Sequence, residues 1–282
     1  MDQFEVRPIA GSMGAEISGI DLSQPLGNEA SARIHDAFLK NQVLVFHDQT
    51  LTIEQNKAFA ESFGPLVPYP FVKGLPEHPE VFEIRKEPDE QMNFGGGWHT
   101  DMSFDERPPV ATMLYAQETP SRGGDTLIAN LYRAYETLSP KMREIVDGLT
   151  GVYSGDLKGR RGGRKALMSA TRFETANVEA APAMESEHPL VRTHPETGRK
   201  ALYVSGSHLY RIKELTDPEG AALLTFLKDH ASTPDFTCRV GYRPGTLVVW
   251  DNRCTQHRAL NDYHGERRVM HRLTIGGGDR PS

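Results

Sequence analysis

The sequence predicts a mostly β fold with flanking helices, and three observations predict it. Short apolar runs bounded by glycine and proline recur along the chain, at residues 43–46, 81–85, 110–118, 126–131, 246–250 and 268–275. Helical periodicity is confined to a few scattered stretches. Strands and helices do not alternate as βαβ units, so an antiparallel sandwich or barrel is expected rather than a doubly wound sheet. A chain of 282 residues without an internal repeat fits one such domain.

The elements follow in order. Residues 4–22 read as strands with a turn at Gly11-Ser12, and Ala15, Ile17 and Ile20 supply the apolar positions. Residues 28–39 have the spacing of an amphipathic helix. Val43 to Phe46 suits a buried strand, and residues 51–63 are helical in period, closed by Gly64. Five prolines in residues 65–79 remove backbone donors, so no regular structure is expected there. Residues 81–85 alternate as a strand, and 86–97 form a polar loop ending in three glycines that let the backbone approach something closely. Strands at 110–118 and 126–131 flank the turn Pro120-Ser121-Arg122-Gly123-Gly124. Residues 132–149 read as one or two short helices interrupted at Pro140. Residues 154–187 read as a polar, mobile insertion whose basic cluster, 158–165, is a solvated loop or else an anion-binding lid. Further strands are expected at 189–193, 200–204, 236–242, 246–250 and 268–275. A helix opens near Thr216, with Pro218 in its first turn, and runs to about His230.

Composition excludes several classes of function. The net charge is -6 and basic residues are scattered, so there is no electrostatic footprint for nucleic acid or an anionic membrane surface. No window approaches the ~20 apolar residues of a membrane span, and residues 1–14 lack a signal-peptide pattern, so the expected compartment is the cytoplasm. Cys238 and Cys254 form no CxxC or CxxH cluster and read as free thiols in packing positions. The expected partner is a small molecule.

The chemistry centres on Trp98-His99-Thr100-Asp101. On extended backbone, alternate side chains share a face, so His99 and Asp101 can grip one ion. A second histidine would complete the 2-His-1-carboxylate set, which holds one face of an octahedral iron and leaves the other open. His257 is the choice, carried past the apolar strand Leu247-Val248-Val249-Trp250. His35, His47, His78 and His230 lie in helical or loop contexts, while His188 and His194 look like ordinary polar ends of a strand. An iron with open positions needs a reductant for dioxygen, and a chelating 2-oxoacid would serve. Its far carboxylate needs a cation, and a guanidinium can bind it through two parallel hydrogen bonds. Arg268 and Arg272 lie on one face of the last strand, with Arg267 and His271 on the other. That strand is apolar enough to be mostly covered, where unpaired charge is expensive.

Taken with Gly14-Ala15-Glu16-Ile17, the GGDT of 123–126, the RTHP of 192–195, the WDNRCTQH of 250–257 and the RRVMHR of 267–272, the chain resembles the taurine/2,4-dichlorophenoxyacetate dioxygenase family of iron(II)- and 2-oxoglutarate-dependent oxygenases over almost its whole length. The resemblance implies a double-stranded β-helix (jelly roll) core. It implies His99, Asp101 and His257 as catalytic Fe(II) ligands, 2-oxoglutarate as cosubstrate on Arg268 and Thr126, and O2 as oxidant. Arg272 would lie near the cosubstrate or the anionic group of the prime substrate. Relatives form dimers or tetramers, so a homodimer or homotetramer is expected.

The chain departs from the taurine pattern after Phe63-Gly64 and at Gly95-Gly96-Gly97, where polar contacts for a small zwitterion are missing. The implied pocket is roomier or more apolar, with Tyr69, Phe71, Phe94, Met102 and His208 as lining residues beside Arg272. The expected reaction is hydroxylation of a C–H bond in a small anionic molecule such as a sulfonate, alkyl sulfate or aryloxyalkanoate. The alternative is a hydroxylase or desaturase acting on a larger hydrophobic biosynthetic intermediate.

Overall fold

A computed structural model of the chain describes residues 4–157, 163–164, 172–174 and 184–282. The strands are β1 (Glu5–Pro8), β2 (Ala15–Ser18), β3 (Val43–Phe46), β4 (Leu66–Val67), β5 (Val81–Lys86), β6 (Ala111–Glu118), β7 (Thr126–Asn130), β8 (Thr150–Ser154), β9 (Glu185–Pro189), β10 (Val191–Thr193), β11 (Lys200–Leu202), β12 (Leu209–Ile212), β13 (Thr237–Val240), β14 (Leu247–Asp251), β15 (Thr255–Ala259) and β16 (Arg268–Ile275). The helices are α1 (Asn28–Asn41), α2 (Ile53–Glu61), α3 (Leu131–Glu136), α4 (Pro140–Val146) and α5 (Asp217–Ala231).

The largest sheet runs β1-β2-β3-β14-β6-β16-β4, with β5 also paired to β16. A smaller sheet, β13-β7-β15, lies against it. Strand period explains how they pack. Val43, Val45, Val248, Trp250, Leu114 and Met270 point inward and meet Ile128, Cys238 and Val240 of the small sheet. Leu44, Phe46, Leu247, Val249, Met113 and Leu273 point the other way, where Ala30, Ile34, Ala37 and Phe38 of α1 and Phe59 and Ala60 of α2 cover them. With both faces buried, β3 and β14 read as continuous apolar runs, not alternating ones. A third layer packs α3 and α5 around Tyr153, Tyr203 and Leu227.

The structure corrects the sequence reading in four places. The proline-rich stretch is not free of regular structure: Leu66 and Val67, between Pro65 and Pro68, pair with Ile275 and Thr274 at a sheet edge, where flanking prolines cost no ladder bond. The segment 154–187 is bounded by paired strands, because β8 joins β9 and β12 in a three-stranded sheet. β9 (ESEHP) is polar because it is an edge, and so it carries no apolar signal. Lys86 is the buried last residue of β5, not the start of a polar loop. His188 and His194 are almost fully buried, and His194 bonds Asp251 at 3.1 Å. One sheet pair, β2 with β3, is parallel. Cys238 and Cys254 are buried free thiols. Of the basic cluster expected at 158–165, only Gly163 and Arg164 fall within the described residues, so the lid reading lies outside them.

Candidate metal and cosubstrate site

The site is built where β15 faces the stretch before β6. His99 and His257 form an antiparallel bridge, with His99 N–H donating to the His257 carbonyl at 2.9 Å and His257 N–H to the His99 carbonyl at 2.7 Å. Residues paired in this way project side chains to one side, and the two imidazole centroids lie 4.2 Å apart. Thr100 turns to the opposite face, where its hydroxyl donates to the Thr255 carbonyl at 2.8 Å. Asp101 therefore returns to the imidazoles, 3.5 Å from His99 Nε2 and 3.7 Å from His257 Nε2. One ligand atom from each of the three lies within 4.8 Å of the others, and all three groups are buried. Met102 follows at φ 45°, an unusual conformation for a long side chain, and lines the cavity beside Asp101.

The donor set suits a divalent metal. His99 Nδ1 lies 2.8 Å from the Gly97 carbonyl, which can only accept, so the proton sits on Nδ1 and Nε2 is free to ligate. Burial pushes the His257 imidazole down to about 3, so it is held in the neutral form that a metal requires. Burial works against an ionised Asp101, but the charge of Arg272 chiefly offsets it, and this carboxyl is held well below the usual range. Asp101 Oδ2 accepts from the Thr112 hydroxyl at 2.7 Å, and Asn252 Nδ2 donates to that hydroxyl at 2.9 Å. Gly95 explains the glycine run: at φ 78° it sits so close that a Cβ there would be 3.3 Å from His99 Cε1.

Arg268 and Arg272 both point inward from β16, as their shared face requires, while Arg267 pairs with Glu87 and Glu118 on the other side. Nε and Nη2 of both inward arginines are buried without a hydrogen-bond partner. Arg272 Nη2 is 3.0 Å from Asp101 Oδ1, an ion pair by distance whose N–H is not aimed at the oxygen. A narrow cavity of about 30 Å³ joins His99, His257, Thr126, Arg268 and Arg272. Tyr242 organises its far end, donating to Thr126 Oγ1 at 2.9 Å and lying under the Arg268 guanidinium at 5.2 Å. Buried guanidinium N–H groups without hydrogen-bond partners, beside the Thr126 hydroxyl, are what a dicarboxylate would satisfy.

The narrow cavity shares Phe94, Gly95, His99 and Arg272 with one of about 310 Å³, which Tyr69, Met102, His208 and the other two glycines also line. Phe71 is not on that wall. It lies one layer behind, in the core, with the Arg164 guanidinium stacked on its ring at 3.4 Å. His208 Nδ1 is tied to Ser103, Ser205 and the Thr100 carbonyl, and burial holds the ring well below its ordinary pKa. Sequence reasoning held Arg164 only as part of the 158–165 basic cluster and did not place it in the pocket; it reaches the cavity, places Nη1 3.4 Å from Tyr69 Oη and leaves Nη2 unpartnered. Sequence reasoning also missed Thr112, Asn252 and Tyr242. A threonine inside the apolar run of β6 was a signal for the first, and Asn252 lies within the WDNRCTQH run; Tyr242 gave none.

Comparison with known proteins agrees with this geometry. The family model "Taurine catabolism dioxygenase TauD, TfdA family" matches residues 5–274. An alkylsulfatase of Acinetobacter baylyi is 35% identical, covering 98% of this chain and 86% of the relative. An alpha-ketoglutarate-dependent sulfate ester dioxygenase of Pseudomonas putida is 32% identical over 98% of this chain and 90% of its own. The crystal structure of a taurine dioxygenase from Burkholderia xenovorans superposes with a TM-score of 0.82 at 37% identity, covering 99% of this chain and 92% of that one.

Proposed function

The chain belongs to the TauD, TfdA family, and from that premise we propose that it is an Fe(II)- and 2-oxoglutarate-dependent dioxygenase that hydroxylates a C–H bond in a small organic anion, with a sulfate ester or sulfonate as the favoured class. The observation that carries the reading is the buried His99, Asp101 and His257 set beside the unpartnered Arg268 guanidinium. Bound iron and 2-oxoglutarate would supply the oxidising power: the 2-oxoacid loses its C1 carboxylate as CO2, one oxygen atom of O2 goes into succinate and the other into the substrate.

The protein's own residues do the rest. His99, Asp101 and His257 would hold the metal, and Thr112 fixes the Asp101 carboxylate by donating to Oδ2. Arg268 takes the distal carboxylate of the cosubstrate, and Thr126 donates to it while Tyr242 holds Thr126 in place. The cavity wall excludes water through Tyr69, Phe94 and Met102. Its charge supports an anionic substrate: Arg164, Arg258 and Arg272 line it, and Asp101, already paired with Arg272, is the one acid among the described lining residues. In this reading Arg164 and Arg272 hold the anionic group, with Tyr69 between them. A volume near 310 Å³ is at the small end for ligand cavities, which argues against a bulky biosynthetic intermediate. Hydroxylation of the carbon beside the ester oxygen would make the product fall apart into an aldehyde and free sulfate.

The two-sheet core supports the double-stranded β-helix class, with the whole chain as one catalytic domain. The same reading takes the protein as a cytoplasmic homodimer or homotetramer, which sedimentation would test. The function itself is tested with a panel of alkyl sulfates, sulfonates, aryloxyalkanoates, fatty acids and alkylamines, reading succinate with and without O2. The expected result is O2-dependent succinate release driven by sulfates or sulfonates and not by amines. No stimulation by any anion would refute the substrate class.

A further inference from the structure

Beside Arg268 stands a second buried cation that the site described so far does not use. Lys86 and Arg268 are directly opposite each other across β5 and β16, and side chains of an opposed pair lie on one face within reach of each other. Lys86 is 4% exposed, its Nζ has no hydrogen-bond partner, and it makes no ion pair among the described residues. Its nearest compensation is the Tyr263 ring, 4.6 Å from Nζ to the centroid. A ring face offsets a buried ammonium only in part. Glu90 lines the same small space, but its carboxylate is turned to the Glu87 backbone N–H at 2.7 Å.

Lys86 and Arg268 line one pocket of about 10 Å³, room for roughly a single water. Arg268 also lines the cavity that reaches His99, His257 and Thr126. Arg268, Ile84 and Phe94 thus line both spaces, which places the ammonium next to the cosubstrate end of the site. Two adjacent buried cations with no acid paired to either among the described residues are costly unless an anion completes them. An ammonium and a guanidinium flanking one carboxylate can also satisfy more of its lone pairs than a guanidinium alone.

We infer that Lys86 is a second cosubstrate-binding cation, which shares the distal carboxylate of the 2-oxoacid with Arg268. The inference rests on the 2-oxoglutarate dependence proposed above. It makes a selectivity claim: Lys86 acts on the far carboxylate and on nothing else in the cosubstrate. The discriminating probe is 2-oxopentanoate, which has the same chain and the same chelating end but no distal carboxylate.

The experiment is anaerobic titration calorimetry of the Fe(II)-loaded full chain with 2-oxoglutarate and with 2-oxopentanoate, in wild type, Lys86→Met and Lys86→Arg. Lys86→Met should weaken 2-oxoglutarate binding by about tenfold or more, the scale of one charge-assisted hydrogen bond. It should leave 2-oxopentanoate within about twofold, and Lys86→Arg should keep most of the 2-oxoglutarate affinity. Equal weakening of both ligands would make Lys86 a packing residue, and unchanged 2-oxoglutarate binding in Lys86→Met would also overturn the inference. Lys86→Gln repeats the comparison if the methionine variant fails to fold. A wild-type chain that binds no 2-oxoglutarate would instead overturn the proposed function and this inference with it.

Discussion

Replacing Thr112 by valine tests how the metal ligands are held without touching any of them. The swap keeps the shape of the side chain and removes one hydroxyl. That hydroxyl donates to Asp101 Oδ2 at 2.7 Å and accepts from Asn252 Nδ2 at 2.9 Å. Asp101 is 2% exposed, so no solvent replaces the lost donor. A hydrogen bond to a buried charged group is worth about 1.5–3 kcal/mol, and about 1.4 kcal/mol is a tenfold change in affinity. Part of the loss falls on the metal-free chain as well, because Arg272 still neutralises Oδ1 in both states. The expected outcome is therefore an order-of-magnitude rise in metal Kd, of roughly 10-fold to 100-fold, as for other groups that orient a ligand. Anaerobic calorimetry with Fe(II), or with Mn(II) as a stable substitute, reads this directly. Asn252→Ala, one bond further out, should have the same sign and a smaller size. Metal affinity within twofold of wild type in Thr112→Val would refute the account of how Asp101 is oriented.

Three further outcomes are expected. Arg164→Met should raise the KM for an anionic substrate about tenfold while leaving the 2-oxoglutarate Kd unchanged; steady-state kinetics beside calorimetry separates the two, and equal loss in both would make Arg164 a structural residue. Gly95→Ala places a Cβ at φ 78° and 3.3 Å from His99 Cε1, so it should cost about 1–2 kcal/mol of stability and also weaken metal binding, measured by urea unfolding and metal titration. Stability should fall as pH drops below 6.5. Burial chiefly, with Arg192 and Arg280 beside it, pushes His188 from 6.5 down to about 4 despite its contact with the Asp105 carbonyl. The unfolded chain therefore takes up the proton first, and this contribution is complete above pH 6.5 and lost toward pH 4. By pH 5 the loss is about 2 kcal/mol, read from urea midpoints and reduced in His188→Gln.

What could be read from the sequence follows from what each residue's neighbours in the chain reveal. The strands β3 and β14 were legible because burial on both faces leaves uninterrupted apolar runs, and β16 because Val269, Met270, Leu273 and Ile275 keep it apolar between its charged positions. The pairing of His99 with Asp101 was legible from a two-residue spacing, and the inward face of Arg268 and Arg272 from a four-residue one. Three-dimensional contact decides the remainder. Lys86 and Arg164 look like ordinary surface cations in the sequence, and are buried because an opposed strand and the Phe71 ring cover them. His194 reads as a polar strand end, yet it is fully buried against Asp251, which Arg253 also clasps in the turn leading to β15. Phe71 was expected on the cavity wall because the loop after Phe63-Gly64 departs from the taurine pattern. Its ring instead packs into the core, edge-on behind Tyr69, a placement that loop composition does not reveal. The polar edge strand β9 shows the same limit, since its stability comes from pairing with β8 rather than from its own side chains.

The most direct test is titration of 2-oxoglutarate into the chain under anaerobic conditions, with Fe(II), without metal, and with Fe(II) in the His257→Ala and Arg268→Met variants. The account predicts one cosubstrate per chain in the iron-loaded wild type, binding weakened at least tenfold by either substitution, and further weakening when the metal is withheld. Equal affinity with and without metal, or full affinity in Arg268→Met, would contradict the claim that the buried ligand set and the inward arginine together form one 2-oxoacid site.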